Sequence, residues 1–351
     1  MKIFFLFLLL IISVSVSAQD IPKGKFNGVL FGDYFYKFEG DSSGASNQYS
    51  TFGYKTQGVT VRRARLHYEH NFNEEFTGNF GIELNDVTKI DNKVSFMVYD
   101  AQFEWKNVVP NSSFIFGLMP APTFVWGMSE IMYGYRSLEK TIADKNRIGT
   151  ALEIGAMLKG KFDKEGMFGY TVMLGNGKGS SAEVSKFPKF YGSVFAKFLN
   201  NFVAEAYFDY QNNYNEQFRF TAKSVLAFKN KDLTFIFEPF FQNRNNAVNL
   251  SAPQNPIGLT LSGKVNLVKK KDSEKTEALN IFARYDYFDP DSNNGKLGFK
   301  ENFFIAGLDF LPFKAFHIMP NVWINTYKDK SNANISRPND IVGRVTFWYV
   351  Y

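Results

Sequence analysis

Apolar and polar side chains alternate along most of this 351-residue sequence. From Phe26 to Phe38 the even positions hold aromatic residues, leucine or glycine, whereas the odd positions include Asn27, Asp33 and Lys37. A later segment places Tyr99, Ala101, Phe103 and Trp105 opposite Asp100, Gln102 and Glu104. Because successive side chains of a β-strand point to opposite faces, a period of two predicts strands. We find roughly sixteen such segments of about 9–13 residues, the length of tilted strands that cross an outer membrane.

The connections between these segments alternate in length. Short polar turns include Asn71–Glu75 and Asp163–Gly166, and long loops rich in Asn, Ser and Gly include Glu39–Gln57 and Gln242–Pro256. Short turns at one end and long loops at the other are typical of outer-membrane barrels.

The apolar face is rich in Phe and Tyr rather than in Val, Ile and Leu. Aromatic residues stand at segment ends, among them Tyr36, Phe38, Trp105, Tyr287 and Tyr351. These are the positions of an interfacial aromatic girdle. A soluble β-protein is the alternative, because its strands also alternate apolar and polar side chains. The face chemistry favours an all-β fold, a transmembrane antiparallel β-barrel of about 16 strands, closed because open sheet edges in lipid leave backbone groups unpaired.

The first 18 residues have the composition of a signal peptide. Lys2 precedes an apolar run from Ile3 to Ile12, and small residues follow up to Ala18. The run is shorter than the ~20 residues of a membrane-spanning helix. We therefore expect a signal peptide over 1–18, a single barrel domain over 19–351, and a location in the outer membrane of a Gram-negative bacterium. With no cysteine in the sequence, disulfides and Cys-ligated metals are excluded.

One long connection, from Pro120 to Ile148, lacks the alternation. It is apolar, aromatic and charged at once, and short helices are expected over Glu130–Tyr135 and Ser137–Ala143. We expect this third long loop to fold inward and to narrow the pore, since long ordered loops are often functional. A surface loop that contacts other subunits or lipopolysaccharide is the alternative.

Several short motifs within residues 58–162 are similar to those of a known family. They are Gly58–Leu66, Asp100–Glu104, Gly117–Pro122 followed by Glu130, Arg147–Gly149 and Leu158–Phe162. In these motifs the chain resembles the phosphate-selective porin O and P family of sixteen-stranded outer-membrane porins. The resemblance implies a homotrimer with one pore in each subunit, and selection of anions by arginines and lysines in the lumen.

Charged residues on the polar face are the candidate pore-lining and constriction residues. They are Arg63, Arg65, Glu104, Glu130, Arg136, Lys140, Arg147, Lys159, Lys161, Arg219 and Lys223. Arg63 and Arg65 are two apart and point the same way. Acidic residues are about as frequent on this face as basic ones, so the electrostatic field in the lumen favours neither anions nor cations strongly. The alternative is that most of these charged residues form ion pairs that stabilise the barrel wall. Arg147 is expected to tether the long loop through Glu130 or Asp144.

The sequence thus predicts a porin for passive diffusion of small hydrophilic solutes or ions, with weak ion preference. The resemblance to the family implies that anions such as phosphate are among these solutes. Expected partners are outer-membrane lipid and lipopolysaccharide, with no cofactor and no metal. The 40 Lys and Arg against 34 Asp and Glu are spread along the chain, so no nucleic-acid partner is expected. A surface adhesin anchored by a barrel is one alternative. A barrel hydrolase is another, although His67, His70 and His317 belong to no catalytic motif.

Overall fold

The computed structural model describes residues 24–42, 49–85, 89–90, 93–124, 127–182, 186–212, 217–245, 255–269, 278–293, 298–330 and 336–351. The predicted signal peptide, residues 1–18, lies outside the described residues, so its cleavage stays a prediction. None of the helices in the described ranges is long and apolar enough to cross a membrane.

Sixteen long strands form one closed antiparallel barrel, and two short strands form a separate ribbon. The barrel strands are β1 (Lys25–Glu39), β2 (Gln57–Asn71), β3 (Phe76–Asn85), β6 (Met97–Val109), β7 (Ser112–Pro120), β8 (Leu152–Lys161), β9 (Phe168–Gly175), β10 (Lys189–Phe198), β11 (Phe202–Asn212), β12 (Phe218–Lys229), β13 (Leu233–Asn245), β14 (Ile257–Lys269), β15 (Ala278–Asp289), β16 (Phe299–Phe313), β17 (Phe316–Asp329) and β18 (Asp340–Val350). The ribbon consists of β4 (Lys89–Ile90) and β5 (Lys93–Val94). The prediction of about 16 antiparallel strands is confirmed.

Each barrel strand pairs with its neighbours in sequence, and the first strand pairs with the last. β1 and β18 run antiparallel from the pair Val29 and Val350 to the pair Glu39 and Ile341. β3 pairs directly with β6, and the two short strands of the ribbon lie between them in the sequence. Closure leaves no strand edge of the barrel unpaired.

The two faces of the wall have opposite chemistry. On β1, Phe26 and Phe38 point outward and are exposed, whereas Asp33 and Lys37 point inward and are buried. Outward aromatic rings also contact one another near the short turns, where the ring of Phe76 lies 5.4 Å from that of Phe103 and 5.7 Å from that of Trp105. Water-soluble proteins bury apolar residues and expose charged ones, so this arrangement is inverted relative to theirs.

Two of the β-bulges in the wall bring an extra side chain to the inward face. Phe31 pairs with Arg63 and Gly32 with Val61, so Arg62 is an extra residue on β2 and its side chain points inward beside that of Arg63. Gly81 pairs with Asp100 and Ile82 with Val98, which makes Tyr99 the extra residue on β6. The assignment of Tyr99 to the apolar outer face is therefore wrong, because the bulge turns its ring into the barrel.

The connection between β7 and β8, residues 121–151, is here called loop L3. Its side chains pack in three apolar clusters against inward-facing residues of the wall, one of them formed by Met128 with Val203 and Val225. Phe124, Ile142, Ala143 and Ile148 pack with Phe240 of β13, and Tyr135 and Leu138 pack with Phe282, Phe303 and Trp323 of β15, β16 and β17. Loop L3 thus lies inside the barrel.

The helices of loop L3 differ from the expected ones. Helix α1 covers Met128–Tyr133 and ends at Gly134, whose φ of 68° is left-handed and favours glycine. Helix α2 covers only Ile142–Lys145. The stretch 137–140 is not helical, because three of its backbone carbonyls accept hydrogen bonds from side chains of the barrel wall.

Candidate pore constriction

A cavity of about 470 Å³ separates loop L3 from the inward face of β2, β3 and β6. The wall contributes Arg63, Arg65, Glu83, Met97 and Tyr99; loop L3 contributes Glu130, Arg136, Lys140, Asp144, Thr150 and Ala151; Leu152 and residues Lys178–Ser180 complete the lining. Five of the candidate residues, Arg63, Arg65, Glu130, Arg136 and Lys140, therefore meet at one cavity.

On the wall side, two arginines share one carboxylate. Nε of Arg65 donates to Oε2 of Glu83 at 2.7 Å, and Nε of Arg63 lies 3.3 Å from the same oxygen. The guanidinium of Arg65 also lies 3.4 Å from the ring centre of Tyr99, a cation–π contact. The pairing leaves this side of the cavity with net positive charge.

On the loop side, Arg136 lies between two carboxylates. Its two terminal nitrogens donate to Glu130 and to Asp144. Burial alone lowers the pKa of the Arg136 guanidinium, but the two carboxylates outweigh burial and raise this pKa above its usual value. Arg136 thus makes the tether that was expected of Arg147, which is exposed and has a left-handed φ of 55°.

Lys223 lies away from the cavity, beneath helix α1. Its Nζ donates to Oγ of Ser129 at 2.5 Å and to Oε2 of Glu205 at 3.3 Å. Glu205 also accepts the backbone N–H of Met128 at 3.2 Å. This buried group attaches the start of helix α1 to the wall.

The remaining candidates lie towards the two ends of the barrel. Glu104 on β6 and Lys159 on β8 point inward and interact electrostatically, and Lys161 is exposed at the end of β8 next to a short turn. Arg219 lies at the opposite end, near the start of β12, where it is the cross-strand partner of Arg244.

Several lining residues were not among the sequence-based candidates. Glu83, Tyr99, Asp144 and Lys178 join the candidates at the cavity. Glu83 could have been found from strand register alone, since it pairs directly with Arg65. With them, the lining holds five cationic and three acidic residues.

Two inward histidines have aspartate partners that the sequence pattern did not reveal. Nε2 of His67 lies 3.1 Å from Asp100 and its Nδ1 lies 3.2 Å from Asn27. Nδ1 of His317 lies 2.7 Å from Asp309, and its ring stacks on Trp348 at 4.3 Å. A hydrolase of the Ser–His–Asp type needs a nucleophile on the free imidazole nitrogen, and both nitrogens of His67 already have partners. Within the described ranges, no group of three or more acidic, His or Cys residues could hold a metal ion.

No family model matches the sequence, and no curated protein matches it either. Solved structures do match. The outer-membrane channel DcaP of Acinetobacter baumannii is 13% identical with a TM-score of 0.63, and the match covers 94% of this chain and 97% of that one. The anion-selective porin from Comamonas acidovorans is 10% identical with a TM-score of 0.61, over 94% and 99%. OmpT, an outer-membrane protein of Vibrio cholerae in a trimer form, is 10% identical with a TM-score of 0.57, over 94% and 99%.

These identities are low, so the likeness is one of fold. The chain has the closed sixteen-stranded barrel seen in porins. The finer resemblance to the phosphate-selective porin O and P family is not confirmed.

Proposed function

We propose that this chain is an outer-membrane porin through which small hydrophilic solutes or ions diffuse passively. The observation that carries the proposal is the inverted barrel, apolar outside and charged inside, with a polar cavity between its wall and loop L3. An outward face rich in exposed Phe, Leu and Val is suited to acyl chains, and the aromatic rings near the strand ends are suited to the lipid–water interface. Lipid and lipopolysaccharide are the partners proposed for this face.

The cavity between loop L3 and the wall is proposed as the constriction of the channel. Its guanidinium, ammonium and carboxylate groups replace part of the hydration shell of a passing solute. Because loop L3 fills much of the opposite side of the barrel, this cavity is the passage beside it.

We propose a modest preference for anions, with phosphate among them. Five cations and three acids line the cavity, whereas several inward charges elsewhere neutralise one another in pairs. Asp33 binds Arg62, Asp286 binds Arg284, and Asp209 binds Lys189. A count made from the sequence gives every inward charge the same weight, whereas only accessible charges act on a solute in the cavity.

A homotrimer is the proposed assembly. OmpT of Vibrio cholerae, one of the similar structures, is recorded in a trimer form. Cross-linking of the folded protein in detergent, followed by sizing of the products, tests this proposal. A species of three chains supports it, and only single chains contradict it.

Liposome swelling tests the proposed diffusion. Vesicles containing the refolded protein are diluted into isotonic solutions of sugars of increasing mass, and light scattering follows water entry. Small sugars should cause rapid swelling that slows with sugar size, whereas vesicles with heat-unfolded protein should not swell. No swelling with correctly inserted protein would overturn the proposal.

A further inference from the structure

A four-residue stretch of loop L3 is bonded to the barrel wall at every residue. The carbonyl of Ser137 accepts from Nη2 of Arg62, and that of Leu138 accepts from Nη2 of Arg344 at 2.5 Å. The carbonyl of Lys140 accepts from Nη1 of Arg284 at 2.7 Å. Between them, Oε2 of Glu139 accepts from Nε1 of Trp323 at 2.9 Å. Four side chains from β2, β18, β15 and β17 therefore bond to four consecutive residues.

The three arginines are themselves fixed by wall residues. Arg284 uses Nε and Nη2 to hold Asp286 at 2.8 and 2.7 Å. Arg344 uses Nε to hold Asn321 at 2.5 Å and Nη1 to hold the Tyr49 hydroxyl at 3.2 Å. Arg62 holds Asp33 through Nε and Nη2. The several N–H groups of a guanidinium bond to wall and loop at once, which a single ammonium cannot reproduce in the same geometry.

These arginines are buried and do not line the cavity. Arg62, Arg284 and Arg344 are 6, 4 and 4% exposed. The stretch that they hold lies next to groups that do line it, Arg136 on one side and the side chain of Lys140 on the other. Moving the backbone of residues 137–140 would therefore move the charged side of the constriction.

We propose that Arg62, Arg284 and Arg344 are positioning residues that clamp residues 137–140 and so set the width of the constriction, rather than contacting the solute. The clamp spans an arc of the barrel, because β15, β16, β17, β18, β1 and β2 are successive neighbours in the wall. Buried carbonyls require hydrogen-bond partners, and the wall supplies them where the loop is not helical. The effect on width rests on the proposed channel; the clamp itself does not.

A single cysteine reports the clamp directly. The chain has no cysteine, so Ser137→Cys introduces the only thiol. Ser137 is 3% exposed and its hydroxyl has no hydrogen-bond partner among the described residues, so the exchange removes no bond. A water-soluble maleimide should label the thiol of this variant slowly, because labelling of a buried thiol requires local opening of the loop.

Charge-preserving changes then release the clamp. In the Ser137→Cys background, Arg284→Lys and Arg344→Lys should each accelerate labelling at least about tenfold, since the open state becomes more populated. The matched control is Arg337→Lys, an arginine before β18 whose guanidinium lies 3.6 Å from the ring centre of Tyr327, and it should leave the rate unchanged. Thermal unfolding monitored by circular dichroism verifies that each barrel is folded.

The outcomes separate this inference from the proposed function. Rapid labelling of the Ser137→Cys variant alone, or equal rates with and without the lysine substitutions, would overturn the clamp even if the protein conducts ions. A wild-type protein that never conducts would overturn the channel but not the clamp. If Arg344→Lys does not fold, Arg284→Lys provides the same test at a separate ion pair.

Discussion

Arg65 on β2 and Glu83 on β3 are direct cross-strand partners, joined by a hydrogen bond of 2.7 Å from Nε to Oε2. The same oxygen lies 3.3 Å from Nε of Arg63. One carboxylate therefore partly neutralises two guanidiniums at the cavity, and it limits how strongly the wall attracts anions.

Glu83→Gln should increase the preference for anions. The substitution keeps the shape of the side chain but removes the only acidic wall residue that lines the cavity in the described part of the chain. The reversal potential of a bilayer under a KCl gradient should shift towards the chloride equilibrium potential. Glu75→Gln, at an exposed turn, is the control and should cause no shift; an unchanged potential for Glu83→Gln would place the selecting charges elsewhere.

Lys223→Met should reduce stability without altering ion selectivity. It leaves the buried carboxylate of Glu205 without its cation and Ser129 without its donor. Breaking a buried ion pair in this way costs about 3–5 kcal/mol in the free energy of unfolding. Urea unfolding and the reversal potential measure the two effects. A shifted reversal potential at unchanged stability would mean that Lys223 acts on solutes.

Glu139 should make part of the stability depend on acid pH. Burial raises the pKa of its carboxyl, but Arg344, Lys145 and the Trp323 indole outweigh burial, so the pKa in the folded protein is lower than usual. A lowered pKa means that the carboxylate contributes stability above its unfolded pKa, and this contribution is lost as the pH falls through the folded pKa.

Comparison with Glu139→Gln measures that contribution. At pH 7 the wild type should be more stable by about 1.5–3 kcal/mol, the usual range for a hydrogen bond to a charged group. The difference should shrink progressively below about pH 4.5. Thermal unfolding of both proteins between pH 3 and pH 7 tests it, and a constant difference would contradict the assignment.

Leu261→Lys should impair insertion into membranes. Leu261 points outward near the middle of β14 and is 39% exposed. A lysine on the lipid face near the bilayer centre costs about 2–4 kcal/mol. The matched control is Leu199→Lys in a short turn, which should insert normally into vesicles. Equal insertion of both variants, judged by heat-dependent mobility in gels, would argue against a lipid-facing wall.

The number and direction of the strands were predictable from the sequence because the chemistry of each face repeats with the period of a strand. The failures occurred where the backbone breaks that period. Val59 and Val61 point outward at odd positions, whereas Leu66 points outward at an even one, and the change of phase falls at the bulge at Arg62. This change is visible in the sequence and would have placed Arg62 inside.

Loop L3 and its charges were predictable only in part. Its length and mixed composition indicated an ordered inward loop, but its partners lie far away along the chain, as with Glu139 and Trp323, which are 184 residues apart. Counting charges also could not tell Arg65, at the cavity, from Arg284, buried under the loop. Arg65 meets Glu83 on the neighbouring strand, whereas Arg284 meets Asp286 on its own strand and the carbonyl of Lys140 in the loop, so the packing of the loop makes the distinction.

Recording of single channels in a planar bilayer tests the central claim most directly. The refolded protein should insert in discrete steps of equal conductance, with current proportional to voltage and a reversal potential displaced modestly towards that of the anion. Folded, inserted protein that passes no current would contradict the account.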